Sequence, residues 1–149
     1  MPEPRDRATR TSDLIAALTA PAADVWVATA SADGGPYLVP LSLAWTDDCA
    51  VIAVEAGSVT ARNLAGSGAA RLAVGPTRDV ALLDVVLERS AGVDEDASLG
   101  AAYAAQADWD PRGLAGYVFL VLRPTRIQAW RESNELSGRV LMRDGAWLV

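Results

Sequence analysis

The densest set of polar donors in the chain lies between Gly57 and Leu64, which reads GSVTARNL. Ser58 is placed to cap a short helix, leaving the first-turn N–H groups free and facing outward with a positive partial charge. Thr60, Arg62 and Asn63 add hydroxyl, guanidinium and amide donors, so the segment can cradle a phosphate. A serine-capped surface helix with a solvated arginine accounts for the same residues. At Thr77–Val80 (TRDV), Arg78 and Asp79 stand side by side at a strand start. Alternation then sends one of them inward, unless both simply decorate the surface. Trp130 can stack on a planar ring, or pack in a core or an interface. Asp108, Trp109, Asp110 and Arg112 can line the mouth of a site or form a solvated loop. Glu55 makes a carboxylate pair with Asp79 or Asp84 only if the fold brings them together.

What is missing narrows the chemistry further. The chain has no histidine, and all 13 basic side chains are arginine. Ser-His-Asp triads, Cys-His pairs and histidine metal sites are excluded, as are Schiff-base lysines and the lysine of a phosphate loop. A lone cysteine, Cys49, provides neither an internal disulfide nor a thiolate zinc site. Asp, Glu, Tyr, Ser and Arg remain, or a cofactor that brings its own reactivity. A net charge of −6 argues against nucleic acid or an anionic membrane as the main partner. No run of 18 apolar residues suggests a membrane helix, and the N-terminus (MPEPRDRATRTSDL) lacks the apolar stretch of a signal peptide. The cytoplasm is the expected location.

The elements that must position these residues follow from periodicity. Of the 149 residues, 51% are hydrophobic and 21% charged, which suits one folded domain. Residues 1–11 read as a flexible tail and 12–149 as a single domain. Ser12 is expected to cap a helix over Asp13–Leu18, ended by Pro21. Val25–Ser31 alternates as a strand, and Ala32-Asp33-Gly34-Gly35 is a turn. Tyr37–Trp45 is the next strand, with Tyr37, Val39, Leu41, Leu43 and Trp45 on one face, and Ala50–Ala56 returns. Val59–Ala65 is a short helix closed by Gly66 and Gly68. Strands follow at Ala69–Val74 and Asp79–Arg89, then a helix within Asp94–Ala107 and a loop over Asp108–Gly113. Tyr117–Leu122 is apolar on both faces, as a central strand is. Pro124 separates it from a last long strand, Arg126–Arg131, and Asp144-Gly145 joins a hairpin of Val140–Met142 and Trp147–Val149. Pro40 implies an edge or a bulge. The sum predicts a mainly β domain of six or so antiparallel strands with short connecting helices, a closed or partly closed barrel, a sandwich being the alternative.

These pieces in order resemble a known family. VWVATAS, the DGGP turn, YLVPLSLAW, VIAVEAGS, the helix with ARNL, RLAVGPTRDV and RIQAWR are similar to the pyridoxamine 5′-phosphate oxidase-like split-barrel flavoproteins. The branch resembled is the actinobacterial one that uses FMN or the deazaflavin coenzyme F-420. The similarity spans roughly residues 12–131. It implies a mainly β fold, a six-stranded antiparallel split β-barrel with short connecting helices, and an obligate homodimer with two cofactor sites at the subunit interface. Val39, Pro40, Leu41 and Ser42 would run along the ring system, and Val54, Glu55 and Ala56 beside the ribityl chain. Ser58, Thr60, Arg62 and Asn63 would hold the phosphate. Arg78 and Asp79 would approach the ring edge, and Trp130 would come from the opposite chain. Val59 and Thr60 stand where the family commonly has a basic pair.

The resemblance implies a flavin- or deazaflavin-dependent oxidoreductase, moving a hydride to or from a small conjugated substrate without a metal. Its catalytic residue is not identifiable in the sequence. Two other readings use the same fold: a non-catalytic flavin-binding protein, and a structural dimer that has lost its cofactor.

Overall fold

In a computed structural model describing residues 1–149, the chain forms one antiparallel sheet with three α-helices on its connections. Six longer strands make the body: β1 (Asp24–Ala30), β2 (Pro36–Ser42), β4 (Cys49–Glu55), β5 (Ala69–Val74), β6 (Val80–Gly92) and β7 (Tyr117–Trp130). Three short strands, β3 (Ala44–Thr46), β8 (Val140–Arg143) and β9 (Ala146–Trp147), extend it. The order β2-β1-β5-β6-β7-β4-β3 ends on two strands consecutive in sequence, so the sheet curls back on itself. β2 and β4 meet at that seam without pairing, which makes the barrel split.

Strand alternation builds two cores. Ala50, Ile52 and Val54 of β4 face the barrel interior with Leu120 and Leu122 of β7, beside Val25, Val27, Leu72, Leu83 and Ile127. Cys49, Val51 and Ala53, on the other face of β4, join Phe119 and Val121 under helix α3 (Ala97–Gln106), which contributes Leu99 and Tyr103. β4 and β7 are therefore buried on both faces, as their continuous apolar runs require. Each fully buried Leu, Ile or Phe contributes roughly 1.5–3 kcal/mol.

Three elements differ from the sequence reading. Helix α1 spans Arg7–Leu18 and is capped by Asp6, whose side chain accepts from the Thr9 N–H; Ser12 lies exposed within it. The presumed tail is tied down, because Arg10 is buried and donates to the carbonyls of Arg5, Ala129 and Glu135. The strand expected over Tyr37–Trp45 breaks at Leu43, whose N–H donates to the Ala23 carbonyl. There the chain leaves β1 and pairs with β4, while Val39, Leu41, Leu43 and Trp45 all still pack on the interior core. Pro124 does not divide β7. A register shift opposite Asp84 and Val85 leaves Thr125 as an extra residue, so the proline coincides with a bulge that needs no donor there.

Candidate functional site

Helix α2 (Val59–Ser67) begins at the open end of the seam. Ser58 caps it, accepting from the Ala61 N–H at 3.2 Å, and its own carbonyl accepts from the Arg62 N–H at 3.0 Å. The N–H groups of Val59 and Thr60 precede the first intrahelical bond and are left for an external acceptor. Gly68 closes the helix in the left-handed conformation at φ +71°.

In front of this helix start lies a groove of about 390 Å³, lined by Tyr37, Val39, Pro40, Leu41, Ala53, Val54, Glu55, Ser58, Thr60, Trp109 and Tyr117. One wall is the edge of β2, which pairs only with β1 and keeps its other side unpaired. That edge offers main-chain donors and acceptors beside the apolar side chains of Val39 and Leu41. The floor is the end of β4.

Trp109 and Tyr117 form the opposite wall, with ring centroids 5.8 Å apart in an edge-to-face arrangement. Trp109 Nε1 donates to the Tyr103 hydroxyl at 3.1 Å, which fixes the indole. Burial raises the Tyr103 phenol above its ordinary range, so this acceptor stays protonated. Sequence reasoning placed Trp109 in a possible mouth but did not link it to Val39 or Ser58. No local signal could, because α3 and its loop come to the seam only through tertiary packing.

The expected cofactor residues divide into three groups. Val39, Pro40, Leu41, Val54, Glu55, Ser58 and Thr60 meet in the groove. Ser42 opens instead onto a larger concavity of about 800 Å³ on the other side of β2, next to Trp26. Ala56 sits at the rim, its N–H donating to the Gly116 carbonyl at 2.9 Å. Arg62 is exposed one turn above Ser58 and forms no ion pair. Asn63 turns inward: it is buried and donates to Thr29 Oγ1 at 3.0 Å, so its amide braces α2 against β1.

Arg78, Asp79 and Trp130 sit elsewhere. Val80 of β6 pairs with Trp130, which ends β7, whereas Tyr117 starts β7 at the groove. Thirteen steps of roughly 3.3 Å put about 40 Å of strand between them. Arg78 pairs with Glu132 at 3.0 Å, and Asp79 accepts from Arg131 at 3.2 Å and Arg5 at 3.3 Å. Within one chain these three residues do not reach the groove. The Glu55–Asp79 and Glu55–Asp84 pairs are not formed either. Asp84 is bound to Arg71 at 2.6 Å, and no cluster of potential metal ligands is present.

This arrangement coincides with a family signature. The pattern of the pyridoxamine 5′-phosphate oxidase family matches residues 13–131, well over half the chain. The chain belongs to this family. No curated protein matches the sequence.

Solved structures of similar fold include an F-420 reductase at 18% identity and TM-score 0.62, covering 75% of this chain and 93% of its own. A pyridoxamine 5′-phosphate oxidase-related, FMN-binding protein from Nostoc punctiforme has 13% identity and TM-score 0.53, covering 83% and 78%. A heme-binding protein from Mycobacterium smegmatis has 21% identity and TM-score 0.66 over 95% of this chain, which spans 59% of that longer protein. At such identities the likeness carries the split-barrel fold. Structures of this fold therefore include an F-420 reductase, an FMN-binding protein and a heme-binding protein.

Proposed function

We propose that the chain is an oxidoreductase that binds FMN or the deazaflavin coenzyme F-420 and exchanges a hydride with a small conjugated substrate. The observation that carries this reading is the groove itself. It joins an unpaired strand edge, two aromatic rings and the N-terminus of α2, a combination suited to a flat polar ring with a phosphate tail. The Val59 and Thr60 N–H groups and the Thr60 hydroxyl supply neutral donors, and Arg62 supplies the one nearby cation. Glu55 at the same rim opposes an anion. The fit therefore rests on main-chain donors rather than on a basic pair.

A bound flavin or deazaflavin ring supplies the hydride chemistry; the protein's part is to bind, orient and keep water out. The edge of β2 is the natural partner for the ring's polar rim, and Val39 with Leu41 gives one apolar face. Trp109 and Tyr117 exclude water from the other side and shape the space for a planar substrate. Heme is a poorer fit, since a chain without histidine offers no imidazole to its iron.

A second reading is supported by one specific observation. Val59 and Thr60 occupy the places of a basic pair, and two lost charge-assisted bonds of roughly 1.5–3 kcal/mol each would weaken binding at least a hundredfold. The chain would then be a weak flavin binder or a cofactor-free structural member. Thermal melts with FMN, FAD and coenzyme F-420 separate these readings. Ligand at about 100 times its dissociation constant adds about 2.7 kcal/mol and raises the midpoint. No shift with any of the three, and a colourless purified protein, would rule out the oxidoreductase.

A further inference from the structure

Seven arginines, among them Arg5, Arg71 and Arg131, meet an aspartate or glutamate within 4.0 Å. Arg7, Arg126, Arg139 and Arg143 meet none, in a chain with 19 acidic side chains. These four come from α1, β7, the residue before β8 and β8 itself, yet they surround a single concavity of about 270 Å³ whose lining contains no carboxylate side chain. Two are held by hydrogen bonds. Arg7 Nη1 donates to the main-chain oxygen of Val149 at 3.0 Å, while its Nε is buried without a partner. Arg139 Nε donates to Gln128 Oε1 at 2.9 Å, and its guanidinium lies 5.7 Å from the centre of the Trp130 ring. Arg126 and Arg143 are exposed at the rim.

Four guanidinium groups around one hollow repel one another, and an anion placed among them relieves that repulsion. We propose that this groove binds the phosphoryl group of a small, multiply charged phosphorylated ligand. Planar guanidinium forks match phosphate oxygens in pairs, and four of them favour a group with at least two negative charges. The hollow suits a phosphate or pyrophosphate with part of its carrier. A net charge of −6 on the whole chain disfavours an extended polyanion such as nucleic acid. The groove shares no lining residue with the seam groove at Ser58.

Calorimetric titration of the full chain with inorganic pyrophosphate, at about 0.15 M salt, tests the proposal. Saturable binding of one ligand per chain is expected. Combining Arg126→Ala with Arg143→Ala should weaken it by about tenfold or more, and Arg89→Ala, at an exposed arginine outside both grooves, should leave it unchanged. Melting curves check the fold. If the double variant unfolds, the single changes Arg126→Gln and Arg143→Gln are read instead, each expected to weaken binding severalfold. Parallel titrations with inorganic phosphate and ribose 5-phosphate identify the source: the tighter of the two is the ligand class. Absence of saturation up to about 10 mM, or equal affinity in the variants, would overturn the proposal. So would displacement by FMN, which would return these arginines to the cofactor, or by a single-stranded oligonucleotide binding more tightly.

Discussion

Arg62 stands as the one cation beside the start of α2, exposed and without an acidic partner. If it completes the phosphate cradle, Arg62→Ala should weaken FMN or coenzyme F-420 binding by roughly 1.5–3 kcal/mol, about ten- to hundredfold. Stability should change by no more than about 0.5 kcal/mol, because the side chain is solvated. Fluorescence titration reads the first effect, and an unchanged dissociation constant would place the phosphate elsewhere. Cys49 tests burial in the second core. Desolvation, and then the Glu88 carboxylate accepting at 3.5 Å, push its thiol up to about 11. The native protein should therefore resist a thiol reagent at about pH 8 and react once unfolded; fast labelling of the folded protein would contradict this. At this scale the sequence was readable wherever a role is local. Ser58 caps its helix as its spacing suggests, since a cap needs only its own three following residues. Asn63, expected as a phosphate donor, is taken by Thr29, a partner 34 positions away that no local pattern reveals.

Elements were readable where a strand or helix carries its own signal. The Asp144-Gly145 pair turns the last hairpin, with φ values of 52° and 78° that suit a tight two-residue turn. What the sequence hid was the long-range partner of an element. Helix α1 begins at Arg7 because residues before it are strapped to the segment after β7. Glu135 is 2% exposed and accepts from the Arg5 side chain at 2.8 Å and from the main-chain N–H groups of Arg5 and Arg131. The Arg5 guanidinium, followed by these N–H groups, holds the Glu135 carboxyl down at about 2, against an ordinary 4.5. A depressed carboxyl stabilises the fold fully above its unfolded value and loses that contribution as pH falls through the folded one. Stability should thus drop by up to roughly 3 kcal/mol between about pH 4.5 and pH 2. Glu135→Gln should flatten that part of the profile; an unaltered dependence of urea midpoint on pH would remove Glu135 as its cause. The β5–β6 turn offers a second test. Gly75 has φ +88°, and a Cβ there would lie 2.3 Å from the Asp79 carbonyl oxygen. Gly75→Ala should destabilise by at least about 2 kcal/mol, whereas Gly57→Ala, with open space around its Cβ, serves as the mild comparison.

Taken whole, the molecule leaves one side of its barrel uncovered. Cross-strand register puts Pro40, Trp26, Ala73 and Leu82 in one row on the outer face of β2, β1, β5 and β6, with Leu38 beside Trp26. Trp26 is 49% and Leu38 58% exposed, unlike the outer face of β4 and β7, which α3 covers. Trp130 belongs to this same face: Gln128 continues the row, and Trp130 lies two residues beyond it, opposite Val80. Ile127 and Ala129, on the other face of the strand, are buried in the interior core, which obliges Trp130 to point outward. A contiguous apolar face of this kind calls for a partner surface, and a second copy related by a two-fold axis is the simplest one. Such pairing also gives Trp130 a way to serve a groove that lies about 40 Å of strand away in its own chain. The chain is therefore expected to be a homodimer in which Trp130 of one protomer faces the ring bound by the other. Light scattering should give twice the monomer mass at micromolar protein, and Trp26→Asp should shift the chain towards monomer. Trp130→Ala should weaken dimerisation and ring binding together, by roughly 0.5–1.5 kcal/mol of aromatic contact plus the lost apolar burial. Fluorescence separates this from simple packing against Arg139. Adding FMN should quench distinctly less emission in Trp130→Phe than in the unaltered chain, because the indole nearest the ring is gone. Equal quenching in both proteins, or a monomer at every concentration, would detach Trp130 from the cofactor site.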